Sequence, residues 1–168
     1  RGLGDVYKRQ VLTLGVLMML AFTSMAAAAP SQVNRSMTAI NAAKAEIPAV
    51  CELVGYNVDG DTSIITFKDP NTLERYVVDV NTATAKVQEI EVKGATFVMG
   101  STMVTKTPDD IEKIVLKNYP NAYEIVITQG QDGNNIYYIA DFLTDKFDGE
   151  LKLDPVTGAI CERELEYF

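Results

Sequence analysis

Apolar positions along this chain switch period, from helical to strand-like, and then do so again. Met37, Ile40, Ala43 and Ile47 fall on one helical stripe, which predicts a helix over Thr38–Ile47 stopped by Pro48. Four short runs of strand composition follow: Val50–Val58, Ser63–Lys68, Arg75–Val80 and Lys86–Lys93. From residue 107 the succession returns. A helix over Asp109–Tyr119 carries Ile111, Ile114, Val115 and Asn118 on one face and is closed by Pro120, which follows Pro48 by 72 residues. Its start is strongly marked. Thr107 is the N-cap, Pro108 suits the first helical position, and Asp110 completes a capping box. The strands after it are Ala122–Gln129, Asn135–Phe142, Glu150–Leu153 and Ile160–Phe168.

The turns repeat with the strands. Asp59-Gly60-Asp61 and Gln131-Asp132-Gly133 are hairpin signals between apolar runs. Asp154-Pro155-Val156-Thr157-Gly158 is a turn in which Asp begins, Pro sets φ and Gly takes the left-handed position. Its counterpart, Asn81-Thr82-Ala83-Thr84-Ala85, keeps the Asn and Thr but lacks Pro and Gly. The last strand of each set alternates: Glu89, Glu91 and Lys93 share one face, as do Glu162, Glu164 and Glu166, while Ile90, Val92, Arg163 and Leu165 point the other way. The fold class is therefore α+β. It has two tandem helix-plus-antiparallel-sheet modules, α-β-β-β-β each, over 36–93 and 107–168, joined by a linker over 94–106. The apolar Phe97-Val98-Met99 in that linker reads as packed against a module. Whether the modules share one sheet or stand apart stays open.

The N-terminal residues belong to neither module. Residues 1–10, with the run Asp5 to Gln10, read as a sequencing artefact, or else as a basic leader through Lys8 and Arg9. Val11 to Phe22 is continuously apolar but shorter than the roughly 20 residues a membrane span needs. Small residues follow, through Ala29, so 11–29 reads as a signal peptide and not as an uncleaved anchor. The chain carries 15 basic and 23 acidic residues, net −8. Removing Arg1, Lys8, Arg9 and Asp5 leaves twelve against twenty-two, or −10, for the exported part. That balance disfavours nucleic acid and anionic lipid, and suits a cationic partner.

A helix ending in Pro, followed by strands broken at Asp-Gly and Asp-x-x-Thr-Gly turns, resembles the PepSY family. Residues 107–168 carry the resemblance best, through TPDDIEKIVLKNYPNAYEI, QDGNNIYYI and ELKLDPVTGAICERELE, and 38–93 resemble a degenerate copy that departs at Ala85. The resemblance implies a cystatin-like helix on an antiparallel sheet and an extracytoplasmic setting. It also implies binding or restraint of proteases, and no catalytic residue, cofactor or metal.

The residues themselves point the same way. No His is present, which removes the usual general base and the commonest metal ligand. Glu89, Glu91, Glu162, Glu164 and Glu166 read as a solvated strand face where nothing raises a pKa, and as a candidate partner surface. Asp59, Asp61, Asp132 and Asn134 read as hairpin turns, because an EF-hand register would put Gly55 and Thr66 at its first and last ligand positions. Cys51 and Cys161 read as free thiols, with an inter-module disulfide as the rival. Tyr137 and Tyr138 are candidate partner anchors, with strand propensity as the plainer account. The expectation is a secreted or cell-envelope binding protein, not an enzyme, that restrains an exported protease or similar enzyme by steric docking. The rival expectation is an envelope protein whose acidic faces hold cations or cationic wall groups.

Overall fold

A computed structural model describes residues 30–94 and 100–168. The expected artefact, the signal peptide and the packing of Phe97-Val98-Met99 lie outside the described residues. The element order is α1 (Pro30–Ala45), β1 (Glu52–Asp59), β2 (Thr62–Lys68), β3 (Arg75–Asn81), β4 (Val87–Lys93), α2 (Pro108–Asn118), β5 (Tyr123–Asp132), β6 (Asn135–Leu143), β7 (Phe147–Leu153) and β8 (Ile160–Tyr167). All eight strands form one antiparallel sheet, in the order β1-β2-β3-β4-β8-β7-β6-β5. Two hairpin-connected meanders thus meet edge to edge, where β4 pairs with β8 and Ile90 stands opposite Leu165. The open question of one sheet or two is answered as one, so the stretch over 94–106 does not divide the sheet. Its described part is tied down. Ser101 and Ile136 exchange backbone hydrogen bonds, Thr105 and Lys106 donate to the Pro155 carbonyl, and the Ser101 hydroxyl donates to Asp154 at 2.7 Å.

Both helices lie on one face. α1 packs on β2 and β3, and α2 on β5 and β6. Period-two alternation sends one set of side chains beneath them: Ile65, Phe67, Val78, Val80, Ile90, Val92, Ala140, Phe142, Leu151 and Leu153 are all buried. From above, Ala39, Ala43, Ile111 and Val115 complete the core. α2 begins as its sequence predicts, with Thr107 and Asp110 forming a capping box. α1 differs. It starts at Pro30, well before Thr38, where the sequence shows no apolar stripe to read and Val33, Asn34 and Arg35 are exposed. It ends at Ala45, two residues early, because Pro48 offers no N–H and restrains Ile47. β7 begins at Phe147 and not at Glu150. A strand discouraged by Gly149 forms because the Phe142 ring fills the space of the missing side chain, and a Cβ there would sit 2.4 Å from it.

One turn recurs three times. Asp154 Oδ1 accepts from the Val156 and Thr157 amides and the Thr157 hydroxyl, and the Gly158 amide donates to the Asp154 carbonyl at 2.9 Å. Asn81 makes the same set to Ala83, Thr84 and Ala85, so losing Pro and Gly did not change the turn. Asp69-Pro70-Asn71-Thr72-Leu73, expected only as a polar loop, does so too: Asp69 Oδ1 accepts from the Asn71 and Thr72 amides, and the Leu73 amide donates to the Asp69 carbonyl. The closing residue has positive φ each time, +75° at Gly158, +55° at Ala85 and +62° at Leu73. A non-glycine residue there costs about 1–2 kcal/mol, part of which glycine gives back as unfolded-state entropy. Ala85→Gly and Leu73→Gly should therefore each stabilise the fold by about 1 kcal/mol, read as a higher urea midpoint at unchanged m-value. Gly158→Ala should destabilise it, since the new Cβ would meet Ile114 and Lys106 at 2.6 Å.

Candidate functional site

The face opposite the helices carries the charge. Strand register fixes its pattern, because residues paired across neighbouring strands stand side by side on the same face. Asp79 of β3, Glu89 of β4, Glu166 of β8 and Asp148 of β7 form one row. Glu91, Glu164, Glu150 and, on β6, Asp141 form the next. A third row is mostly basic: Arg75, Lys93, Glu162 and Lys152. Two ranks of four carboxylates thus span the five central strands, bordered by three cations.

Two of these cations pair with the nearer rank. Lys93 Nζ lies 2.7 Å from Glu91, and Lys152 Nζ lies 3.3 Å from Glu150 and 3.4 Å from Glu162. Burial works against the Lys152 charge, yet Glu162 and Glu150 together raise its pKa. One oxygen each of Glu89, Glu164 and Glu166 falls within a group spanning 4.8 Å. One converging oxygen from each of three carboxylates would leave much of a calcium ion's shell to water, so the surface suits diffuse or multivalent positive charge.

The expectation that nothing on this face perturbs a carboxylate is corrected. Partial burial raises the Glu164 pKa, and Glu150 beside it adds to the effect. Burial raises that of Asp141 as well, helped by Glu150 and Asp148. Glu162 is not a solvated residue: it is 9% exposed and held by Lys152. Glu164 is half-buried and Glu166 exposed. Tyr137 lies half-buried on the same face, its ring covering Gly130 across the β5–β6 pair. Tyr138 is corrected as a partner anchor. It alternates onto the helix side, is 2% exposed, and its hydroxyl donates to the Lys106 carbonyl at 2.8 Å. Cys51 is buried in the core and Cys161 half-buried at the start of β8, both as free thiols. The residues sequence reasoning missed are Asp79, Asp141, Asp148 and Glu150, which stand beside the glutamates through the register of the β3–β4, β6–β7 and β7–β8 hairpins and form continuous ranks only once β4 pairs with β8.

No protein-family model matches the chain, and no curated protein does. Among solved structures it is similar to one described as a "putative lipoprotein" from Clostridium difficile 630, at 18% identity and a TM-score of 0.31, covering 76% of this chain and 90% of that one.

The raised pKa values set a pH dependence. In the unfolded chain these carboxyls titrate near pH 4. Between that value and the higher folded one, native Glu164 and Asp141 keep protons that the unfolded chain has released, so stability falls as pH rises through the window. Asp154 has the opposite sign. Burial opposes its charge, but hydrogen bonds from Ser101, Thr157 and Val156 hold its pKa down, so its contribution is lost only as pH falls below the usual carboxylate range. The thermal midpoint should accordingly be higher near pH 5 than near pH 7.5. Glu164→Gln should flatten that slope and raise stability at neutral pH by about 0.5 kcal/mol. A profile rising towards neutrality would contradict this account.

Proposed function

We propose that this chain is a non-catalytic binding protein that works outside the cytoplasm and engages a cationic partner through the open face of its sheet. The observation that carries the reading is the pair of four-carboxylate ranks. Like charges directly opposite one another destabilise a sheet. Here Asp79 faces Glu89, Glu89 faces Glu166, Glu166 faces Asp148, and Glu91, Glu164, Glu150 and Asp141 continue the pattern. A surface that lowers the stability of its own fold is a candidate for function, where activity and stability trade against each other. A polycationic wall polymer or the basic face of an exported protein supplies the matching charge. The apolar run before the Ala-rich stretch supports the extracytoplasmic setting.

The PepSY reading, with two tandem cystatin-like modules, is supported by the α-β-β-β-β order occurring twice and by the repeated Asp/Asn-x-x-Thr turn. It carries a second functional reading, steric restraint of an exported protease. One observation favours it: β1 and β5 end the sheet, with Leu53, Val54, Val58 and Val126 exposed beside unpaired backbone able to take a further strand.

The test is binding to immobilised polylysine over a salt series. Binding should weaken steeply with salt, and the combined change Glu89→Gln, Glu150→Gln, Glu164→Gln and Glu166→Gln should weaken it roughly tenfold at low salt. Removing four acidic residues elsewhere, through Asp61→Asn, Asp109→Asn, Glu112→Gln and Asp132→Asn, should leave it nearly intact. Equal losses in both variants would reduce the effect to net charge and overturn the reading. A one-to-one protease complex that resists salt, and is lost on Val54→Lys with Val126→Lys, would establish the second reading in its place.

A further inference from the structure

The helix side holds a cleft that the acidic face does not involve. α1 and α2 cover the two halves of the sheet and leave the β4–β8 junction between them, where a hollow of about 330 Å³ opens. Tyr76, Tyr119, Phe147, Arg163, Leu165 and Tyr167 are among its lining residues. The walls are largely aromatic. Phe147 lies 5.8 Å from Tyr119 and 5.3 Å from Tyr167, ring centre to ring centre. Among the described residues Arg163 is the one cation lining it, its side chain 23% exposed.

The polar groups here are unevenly satisfied. Glu74 accepts from the Tyr76 hydroxyl at 3.0 Å, from the Thr72 hydroxyl at 3.2 Å and from Arg163 Nη1 at 3.4 Å. The Tyr167 hydroxyl donates to Glu46 at 3.1 Å. Arg163 Nη2 and Nε, and the Tyr119 hydroxyl, make no hydrogen bond among the described residues and are not buried from solvent, so a ligand would replace water there. Arg163 and Tyr119 line the same hollow. The cleft therefore presents spare donors, one set on a guanidinium, amid apolar walls. It asks for an acceptor with an apolar body.

We propose that the cleft binds an apolar monocarboxylate, whose oxygens take the Arg163 fork and the Tyr119 hydroxyl while its hydrocarbon or aromatic tail lies against Phe147, Tyr167 and Leu165. Arginine's planar fork fits a carboxylate with paired hydrogen bonds. Glu46 and Glu74 nearby oppose a dianion such as phosphate more strongly than a monoanion, whose single charge the Arg163 fork offsets. The volume is that of about a dozen non-hydrogen atoms. A free aromatic or aliphatic acid has this chemistry, and so does the C-terminal residue of a peptide.

The test is an amide-detected NMR titration of the mature chain with 4-phenylbutyrate, against 4-phenylbutylamine as the same tail with reversed charge. The acid should bind saturably, with shifts centred on Tyr119, Phe147 and Arg163, and the amine at least about tenfold more weakly. Arg163→Met should cost about tenfold or more. Tyr119→Phe, which removes one hydroxyl from the wall and keeps the ring, should cost a few-fold and guards against misfolding of the arginine variant. A short peptide ending in Phe, with free or amidated terminus, separates the sources: preference for its free form points to a chain end, and binding of phenylbutyrate alone to a free acid. Equal binding of acid and amine, undiminished binding by Arg163→Met, or no saturable binding of any acid would overturn the proposal.

Discussion

The pairing of β4 with β8 is the interaction on which the rest of this structure depends. Without it the chain would be two four-stranded sheets, each with one helix and two open edges. With it, Ile90 meets Leu165 on one side, and Glu89 and Glu91 meet Glu166 and Glu164 on the other. One register thus makes the core continuous beneath both helices and brings two short acidic strands together as a wide acidic face. It also makes the cleft, because the helices sit over β2–β3 and β5–β6 and neither covers the seam.

Much of the fold was legible from local signals. Pro48 and Pro120, the Thr107–Asp110 box and the Asp-Gly hairpins are short-range chemistry, and each lies where its residues say. Departures occurred where tertiary contacts overrode local preference. β7 runs through Gly149 because Phe142 packs there, and α1 extends through polar turns that no stripe announces. The turn at Asp69 was the avoidable miss, since Asp-Pro-x-Thr stands plainly in the sequence and only its Leu73 hid the likeness to Gly158.

The site was legible only in part. Period two assigns Glu162, Glu164 and Glu166 to one face of their strand, and it puts Tyr137 and Tyr138 on opposite faces without saying which is inward. It cannot supply the neighbours across the ladder. Asp79 and Asp148 lie 69 positions apart in the chain yet end the same row, separated by two strands. Only the order of strands in the sheet places them together, and that order rests on the pairing of β4 with β8, the last strand of each half. The perturbed Glu164 follows from the same cause, because its burial and its acidic neighbours come from β7 and β4.

A structural explanation of the acidic face has to be weighed against the functional one. A one-residue slip at β4–β8 would turn every outward side chain of a strand inward. Carboxylates on the outer face make such a slip costly, because a buried unpaired charge is expensive. Outward charge of either sign would serve that end, however, and alternating signs would serve it while adding favourable cross-strand pairs. The third row shows that this chain does so elsewhere: Lys152 stands beside Glu162 at 3.4 Å. Register protection therefore accounts for a charged face but not for two uninterrupted ranks of one sign. What register leaves unexplained is the sign, and the sign is what a cationic partner would read.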